Sequence, residues 1–439
     1  MATITPHQLS GTFRAPASKS HTIRALLIAA AAEGVSTLDY PLDSLDTRSC
    51  IAACRAFGAD IREEREDGIL RRLIVTGKPR LGGETTLKQD DAPPAPKIIN
   101  VGNSGTTLFF GLAFAALGNV PVTFTGDEQI AKRSAAPLLD ALSALGARVA
   151  SHDGYAPITL CGPLHSGNIT LPCPTSQYLS ALLLALPLCP PHVTVNITIP
   201  LLNERPYIRM TLAYLKRYLE TVDFTPPIME GAAGGVTVPA GSDWALPAVI
   251  TIRGGGRYRP IHAGVPGDFS SAAFVACAGV VSGGEVTLTG LDFDDEQGDK
   301  RFFDLLAKAG KGPPPLSPLG EVDLNATPDL LPIAAVLACS CAGETRLVNV
   351  AHARIKETDR IAVMREELSK LGADIAELPD GLVIHGGKKL RGGFVDGHGD
   401  HRVVMALAVA ALGAEGPVTI AGSEAADVTY PGFLRLVQG

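Results

Sequence analysis

Aromatic residues and long hydrophobic runs are both scarce in this sequence of 439 residues. Phe, Trp and Tyr make up only 5% of the chain, which argues against the aromatic platforms on which nucleic-acid bases stack. Apolar runs such as residues 25–32 and 181–187 fall far short of the roughly 20 residues that a membrane-spanning helix needs. We therefore expect no nucleic-acid partner, no membrane segment and a cytoplasmic location.

An excess of basic charge is absent as well. The sequence has 38 Lys and Arg against 45 Asp and Glu, a net charge of −7, so basic residues gathered at one place are local and purposeful. Its eight cysteines follow neither a disulfide framework nor a zinc-binding spacing, which predicts buried, reduced thiols. Hydrophobic residues, at 46%, suffice for cores, and at roughly 150 residues per domain the length predicts two or three domains.

A short strand that follows a Gly or Pro turn recurs along the chain, each time after an Ala- and Leu-rich stretch. Such turns are common in α/β proteins, but six of them in the same order predict a repeated supersecondary unit. At three places, Gly58, Gly146 and Gly372, a helix is predicted to end in glycine before another strand. The six recurring strands are predicted around residues 35–38, 120–124, 193–195, 286–288, 345–347 and 418–420.

The stretch 225–267 interrupts this pattern, since it is rich in Gly and Pro. It is predicted to carry a hairpin and a linker, with a domain boundary near its end. Residues 82–96 and 312–318 are predicted to be loops for the same reason.

Cations and hydroxyls lie at the starts of several predicted apolar helices. Lys19, Ser20 and Arg24 begin the first one, where free N–H groups and the helix dipole already favour anions. Residues 102–107 (GNSGTT) precede another, and their glycines allow a close backbone approach to a ligand, although they are not a Walker loop. Residues 175–177 begin a third, as a plain cap or as a clamp on a polar ligand. Each place also fits a capped helix with solvated side chains.

The C-terminal half also places charged residues at predicted helix starts. Lys356 and Arg360 are four residues apart and are predicted to share one helix face, which is favourable only with an anion between them. Asp329 begins an apolar helix and suits a base or a helix cap. His398 and His401 suggest a metal, but no third ligand is evident, and we expect none.

Seven motifs follow one another along nearly the whole chain. They cover residues 18–20 with 24–27, 102–106, 176–178 with 180–182, 205–208, 267–268 with 270–272, 356–360 and 400–402. No single motif is specific, but together they resemble those of the 5-enolpyruvylshikimate-3-phosphate (EPSP) synthase family, the 3-phosphoshikimate 1-carboxyvinyltransferases.

The resemblance implies an α/β fold of two similar lobes. Each lobe would consist of three repeated βαβαββ-type units around buried helices, the inside-out α/β barrel of enolpyruvyl transferases. One lobe would combine residues 1–17 with 266–439, and the other would be residues 18–265. The active site would lie in the cleft between them, into which helix N-termini would point.

The reaction that the resemblance implies is transfer of the enolpyruvyl group of phosphoenolpyruvate to the 5-hydroxyl of shikimate 3-phosphate. Phosphate would be released by addition followed by elimination, a step of chorismate and aromatic amino acid biosynthesis. The resemblance implies no metal and no organic cofactor. The expected partners are the two small substrates, and the chain is expected to be a monomer.

Matching the motifs residue by residue implies roles for residues of this sequence. Asp329 would take the proton from the attacking hydroxyl, Glu357 would protonate the enolpyruvyl methylene, and Lys19 would touch both substrates. The shikimate 3-phosphate site would consist of Lys19, Ser20, Arg24, Thr175, Ser176, Gln177, Asp329 and Lys356. The phosphoenolpyruvate site would consist of Lys19, Gly105, Arg133, Gln177, Arg360 and Arg402.

Five positions depart from the family pattern. Phe109 stands where Arg is usual, and His352 replaces an Asn. Glu204 replaces a Ser that helps to bind the acceptor phosphate, and Arg209 replaces an Asp, so that the two charges could have been exchanged locally. Val428 replaces a Lys that contacts phosphoenolpyruvate. These departures leave two alternatives open: a carboxyvinyltransferase that acts on another hydroxylated acceptor, and a non-catalytic homologue.

Overall fold

Residue contacts divide the chain into two compact units. The continuous unit is Lys19–Val265, and the discontinuous unit combines Met1–Ser18 with Pro266–Gly439. The structure is a computed structural model that describes residues 1–78, 96–221, 232–233, 235–239, 244–312 and 314–438. Most of the predicted loop 82–96 lies outside the described residues, and so do residues 225–231, 234 and 240–243 of the predicted hairpin and linker 225–267.

The elements run in chain order from the discontinuous unit through the continuous unit and back. The first two strands are β1 (Ala2–Ile4) and β2 (Gly11–Arg14). The continuous unit contains α1 (Lys19–Ala31), β3 (Val35–Asp39), α2 (Leu45–Ala56), β4 (Asp60–Glu66), β5 (Ile69–Thr76), β6 (Lys97–Asn100), α3 (Gly105–Ala115), β7 (Val122–Thr125), α4 (Ala136–Ala144), β8 (Arg148–His152), β9 (Tyr155–Cys161), β10 (Gly167–Thr170), α5 (Ser176–Ala185), β11 (Thr194–Ile199), α6 (Arg205–Tyr218), β12 (Leu219–Thr221), β13 (Ala232–Ala233), β14 (Val236–Thr237), β15 (Ala248–Arg253), β16 (Gly256–Tyr258) and β17 (His262–Gly264). The discontinuous unit resumes with α7 (Phe269–Ser282), β18 (Val286–Thr289), α8 (Arg301–Ala309), β19 (Gly320–Asp323), α9 (Leu331–Ser340), β20 (Gly343–Val348), α10 (Arg360–Lys370), β21 (Asp374–Leu378), β22 (Gly381–Gly386), β23 (Gly393–Asp396), α11 (His401–Leu412), β24 (Val418–Ala421) and α12 (Phe433–Gln438). Short 3₁₀ helices lie at Ile130–Lys132, Leu186–Leu188, Gly298–Lys300, Pro328–Leu330, Ala351–Ile355 and Ser423–Val428.

The sheets repeat one arrangement, in which a parallel pair of strands is followed by antiparallel strands. In the continuous unit the strand orders are β17-β3-β5-β4, β6-β7-β9-β8 and β10-β11-β15-β14-β13, and the first pair of each sheet is parallel. The discontinuous unit has β19-β20-β22-β21 in the same arrangement, β23-β24-β1, and the parallel pair β18-β2. The six strands predicted from the recurring turns are β3, β7, β11, β18, β20 and β24, and the predicted repeat is confirmed.

Three helices in each unit are buried on nearly all sides: α1, α3 and α5, and α7, α9 and α11. Every residue of α3 and of α11 is buried, because a helix that is apolar all round has no face for water. Helix α3 packs against α1 and α5, and α11 packs against α7 and α9. Polar side chains therefore gather at the helix starts. Ser104, Thr175, Asp268 and Asp400 cap α3, α5, α7 and α11.

Glycine ends three of the remaining helices, as the sequence predicts. Gly58 follows α2 with a φ of 107°, Gly146 follows α4 with a φ of 102°, and Gly372 follows α10 with a φ of 86°. Side chains are disfavoured at such angles. Each glycine therefore lets the chain turn from the helix into the next strand, which is β4, β8 or β21.

All eight cysteines lie in the described residues; they are buried and form no disulfide, as predicted. Within the same ranges, no helix combines the length and the apolar composition that crossing a membrane requires.

Candidate active site

Arg360 lies at the centre of a buried ion-pair cluster in the discontinuous unit. Its Nε donates to Asp400 Oδ2 at 2.8 Å, its Nη1 to Asp329 Oδ1 at 2.7 Å and its Nη2 to Glu357 Oε2 at 2.6 Å. A second bond joins Nη2 to Asp400 Oδ1 at 3.2 Å. Three carboxylates therefore surround one guanidinium, whose side chain is only 1% exposed, and they accept four hydrogen bonds from it.

The starts of three helices bring these groups together. Asp329 lies in the 3₁₀ helix Pro328–Leu330 directly before α9, Arg360 is the first residue of α10, and Asp400 caps α11. The cap of α11 is a bond from Arg402 N to Asp400 Oδ1 at 2.8 Å. The carboxylate of Asp400 thus serves the helix and the arginine at once.

The predicted common helix face of Lys356 and Arg360 is wrong. Asp359 caps α10 by accepting a hydrogen bond from the amide of Ala362 at 3.0 Å, and the helix begins at Arg360. Lys356 therefore precedes the helix. Its positive charge nevertheless acts on the carboxylate of Asp329.

Asp329 links Arg360 to a second buried arginine. Arg402 Nη2 pairs with Asp329 Oδ2 at 3.0 Å, and Arg402 Nη1 donates to Ser270 Oγ. The side chain of Asp329 is 22% exposed, compared with 7% for that of Arg402. The carboxylate is therefore the more accessible part of this group.

Burial and nearby positive charges have opposite effects on the pKa of Asp329. Burial acts to raise it, but the positive charges of Arg402, Lys356 and Arg360 outweigh burial and hold the pKa well below its usual range. Burial acts to lower the pKa of Arg360, and the carboxylates of Asp400, Glu357 and Asp329 raise it above its usual value. In this arrangement Asp329 is ionised and its negative charge is compensated by the arginines.

Lys19, at the start of α1, pairs with a carboxylate of the next helix in the continuous unit. Its Nζ lies 3.0 Å from Asp46 Oδ2, and the two side chains are 17% and 4% exposed. Asp46 belongs to the first turn of α2. Lys19 thus lies at a helix start, as predicted, and its charge is balanced by this acid.

Arg24 has interior partners. Its Nε donates to Thr211 Oγ1 at 2.9 Å, and its Nη1 and Nη2 donate to the carbonyl oxygens of Ser20 and Tyr207 at 3.0 and 3.3 Å. Burial lowers the pKa of Arg24 to about 10. These bonds join α1 to α6, so Arg24 has a clear role in packing, while its predicted contact with an acceptor stays a prediction.

A carboxylate lies on the N-terminus of α5. Glu204 Oε2 accepts hydrogen bonds from Thr175 Oγ1 at 3.1 Å, Ser176 N at 2.9 Å and Ser176 Oγ at 2.7 Å. Thr175 Oγ1 in turn caps the helix by accepting from Gln177 N at 3.4 Å. The structure therefore brings Thr175 and Ser176 together as anion-binding donors and shows an anion in place, which is the chain's own Glu204.

Gly105 and Arg133 meet at the start of α3. Arg133 Nη2 donates to Asn103 Oδ1 at 3.2 Å, and a Cβ atom at position 105 would collide with Arg133 Nη1. Glycine therefore allows the guanidinium to lie against the helix start. The two predicted residues are neighbours, as a shared ligand site requires.

A cavity of about 1590 Å³ lies at the other end of the buried helices of the discontinuous unit. Its lining includes Ser282, Cys339 and Leu412, at the C-terminal ends of α7, α9 and α11. None of the predicted site residues lines it. The cavity therefore lies away from the side chains to which the sequence assigns the chemistry.

Potential metal ligands come together at one place in the described ranges. Glu366, Glu367 and His398 offer ligand atoms within 4.8 Å of one another. Lys370 Nζ lies 3.1 Å from Glu366 Oε1 and 2.7 Å from Glu367 Oε1, and His398 Nε2 lies 2.7 Å from the latter atom. Because the ammonium group of Lys370 already pairs with both carboxylates, an ion-pair network explains the group.

Comparison with known proteins identifies the family. The sequence model of the EPSP synthase (3-phosphoshikimate 1-carboxyvinyltransferase) family matches residues 4–436. The chain belongs to the EPSP synthase family. The 3-phosphoshikimate 1-carboxyvinyltransferases of Acetivibrio thermocellus and Ruminiclostridium cellulolyticum are 44% and 42% identical to it. These alignments cover 98% of this chain and 95% and 96% of the relatives.

Solved structures agree with this assignment. The structure of EPSP synthase from Acinetobacter baumannii matches with a TM-score of 0.74 at 25% identity, over 99% of this chain and 96% of that one. The predicted α/β fold of repeated units around buried helices is therefore confirmed as the fold of this family.

The departures from the EPSP synthase pattern have defined surroundings. Phe109 is buried and meets the ring of Tyr178 edge-on, with 5.0 Å between the centroids. His352 is also buried, and its Nε2 lies 3.1 Å from the carbonyl oxygen of Asn325. Val428 is buried in the 3₁₀ helix Ser423–Val428. Phe109 belongs to the apolar core of its unit, and neither Phe109 nor Val428 supplies a charge to a ligand.

Proposed function

We propose that this chain transfers the enolpyruvyl group of phosphoenolpyruvate to the 5-hydroxyl of shikimate 3-phosphate and releases phosphate. The observation that carries the proposal is the accessible carboxylate of Asp329 between the buried Arg360 and Arg402. It offers a base beside two cations that suit an anionic donor. Membership of a family whose curated members are named 3-phosphoshikimate 1-carboxyvinyltransferase supports the same reaction.

The donor phosphoenolpyruvate carries a carboxylate and a phosphate, and each suits the planar fork of an arginine. Arg360 and Arg402 bind it in our proposal, and its site is completed by Lys19, Gly105, Arg133 and Gln177. In this structure Arg360 donates hydrogen bonds to Asp329 and Glu357. An incoming anion therefore competes with these two carboxylates for the same guanidinium.

The competition activates Asp329 as a base. The charges that hold its pKa low are those of Arg402, Lys356 and Arg360. An anion bound to the two arginines offsets part of their positive charge. The pKa of Asp329 then rises towards the range of a useful base. Binding of the donor thus prepares the carboxylate for the next step.

In the addition step one carboxyl group accepts a proton and another donates one. Asp329 accepts the proton of the 5-hydroxyl while the hydroxyl oxygen forms a bond to C2 of the donor. The electron pair of the C2–C3 double bond takes a proton at C3 from the carboxyl group of Glu357. Elimination then returns a proton from C3 to Glu357, restores the double bond and breaks the bond between C2 and the phosphate oxygen. The departing phosphate keeps the bonding electron pair and takes up the proton that Asp329 had accepted.

The acceptor site draws on helix starts that favour anions. Thr175 Oγ1, Ser176 N and Ser176 Oγ are three donors that converge on one oxygen, which suits a phosphate oxygen equally well. Lys19 supplies a cation at the start of α1. The remaining members of the proposed acceptor site are Ser20, Arg24, Gln177, Asp329 and Lys356.

The change Gly105→Ala is expected to raise the KM for phosphoenolpyruvate about tenfold, with little change in the KM for shikimate 3-phosphate. The new Cβ would displace Arg133 Nη1, and a lost charge-assisted contact costs about 1.5–3 kcal/mol. Steady-state kinetics measure both constants. Gly264→Ala is the matched control, because a Cβ there has only a backbone oxygen at 4.0 Å. An unchanged KM for phosphoenolpyruvate in Gly105→Ala would count against a donor contact by Arg133.

Identification of the products tests the reaction itself. The purified chain, incubated with phosphoenolpyruvate and shikimate 3-phosphate, is expected to form equal amounts of phosphate and of 5-enolpyruvylshikimate 3-phosphate. Phosphorus NMR and mass spectrometry quantify the two products. Formation of an adduct at another hydroxyl, or release of pyruvate in place of transfer, would contradict the proposal.

A further inference from the structure

Glu204 already occupies the helix start that the acceptor's phosphate needs. Its Oε2 takes three donors of Thr175 and Ser176 within 3.1 Å, and the residue is only 1% exposed. Its backbone has a φ of 57°, an angle that residues other than glycine adopt rarely. The chain thus accepts an uncommon backbone conformation at the position from which this carboxylate reaches α5.

The charge of Glu204 acts in surroundings with little water. Burial raises the pKa of the neighbouring Cys173 thiol to about 12, and the negative charge of Glu204 adds to this effect. The same charge contributes to the raised pKa of Tyr178, after burial. A second anion brought to Thr175 and Ser176 would meet this charge with little screening.

We propose that Glu204 is a specificity-determining residue that competes with the acceptor's phosphate for the N-terminus of α5. One set of donors serves either the carboxylate or the phosphate, and two anions at this distance repel each other. The enzyme therefore binds a phosphorylated acceptor less tightly than it would with a neutral side chain at position 204. It also discriminates less strongly against the unphosphorylated acceptor. This inference rests on the proposed function.

Kinetics with two acceptors test the competition. The values of kcat and KM are measured for shikimate 3-phosphate and for shikimate, at saturating phosphoenolpyruvate, in the wild type, Glu204→Gln and Glu204→Ser. Gln retains an acceptor oxygen for Thr175 and Ser176 without the charge, and Ser also opens space for the phosphate. Glu220→Gln, which removes an exposed carboxylate of the same unit, is the matched control for net charge.

Both variants are expected to lower the KM for shikimate 3-phosphate about tenfold, since a close like charge is removed. The ratio of kcat/KM for shikimate 3-phosphate to that for shikimate is expected to rise by a similar factor. The KM for phosphoenolpyruvate and all values of Glu220→Gln are expected to stay within about twofold of the wild type. Turnover of shikimate 3-phosphate by the variants alone would also support the inference.

An unchanged ratio, or a higher KM for shikimate 3-phosphate in both folded variants, would overturn the role of Glu204. Loss of folding in both variants would overturn it as well, because the carboxylate would then be needed for the helix itself. No turnover of shikimate 3-phosphate by the wild type or by either variant is a different result. It would remove the proposed function on which the inference rests.

Discussion

Asp329→Asn is expected to lower kcat by about 10²–10⁴-fold, the usual contribution of a positioned general base. The amide has nearly the shape of the carboxylate but cannot accept the proton of the attacking hydroxyl. Arg360 retains Asp400 and Glu357 as partners, so the cluster keeps most of its ion pairs. Steady-state kinetics and circular dichroism together separate the loss of catalysis from any loss of fold.

The matched control is Asp374→Asn, which neutralises an exposed carboxylate at the start of β21 in the same unit. This variant is expected to keep the kcat of the wild type. A kcat for Asp329→Asn within about threefold of the wild type would rule out Asp329 as the base, because the expected effect is far larger. The base would then have to be sought among other carboxylates.

Arg360→Met is expected to lower the free energy of unfolding of the discontinuous unit by about 3–5 kcal/mol, the usual cost of removing one partner from a buried ion-pair group. The change leaves Asp329, Glu357 and Asp400 close together without their shared cation. Arg365→Met, on the same helix, removes an exposed arginine 3.8 Å from Glu377 and is expected to cost less than about 1 kcal/mol. Denaturation by urea compares the two variants.

The loss of unfolding free energy in Arg360→Met is expected to depend on pH. In the wild type the pKa values of Asp329 and Asp400 are lowered despite burial, for Asp400 chiefly by Arg360. Lowered carboxyl pKa values stabilise the fold above the unfolded pKa near 3.8 and lose this effect as the pH falls. The gap between wild type and variant is therefore expected to be widest near neutral pH and to narrow in acid. A gap that is constant or widens in acid would show that charge is not its cause.

The fold is accessible from the sequence because its signals are local. Ala- and Leu-rich stretches without charges predict the buried helices, and the Gly or Pro turns that follow them predict β3, β7, β11, β18, β20 and β24. Gly58 and Gly372 mark helix ends through a backbone conformation that a single residue determines. Each of these patterns depends on neighbours within a few residues.

The partners of the charged residues are not local, and sequence reasoning missed them. Asp46 is 27 residues from Lys19, and Asp400 is 40 residues from Arg360. Asp400 was visible only as part of a family motif, without a role, and Asp46 gave no signal beyond its place in a first helical turn. Such pairs depend on how the helix starts converge, which periodicity does not predict.

Two local details also required the structure. The common face predicted for Lys356 and Arg360 fails because a cap at Asp359 starts the helix later than the spacing suggests. For Glu204 the sequence showed that a Ser of the acceptor phosphate site is replaced, whereas the structure shows the new carboxylate hydrogen-bonded to Ser176 itself. Competition for these donors is a more specific prediction than the replacement alone, and variants at this one position can test it.

The most direct test of this account is the initial rate of phosphate release from phosphoenolpyruvate, measured with and without shikimate 3-phosphate. The account predicts rapid release only when both compounds are present, and a fall of at least about 100-fold in Asp329→Asn. Release that is independent of shikimate 3-phosphate, or that persists at the wild-type rate in Asp329→Asn, would contradict it.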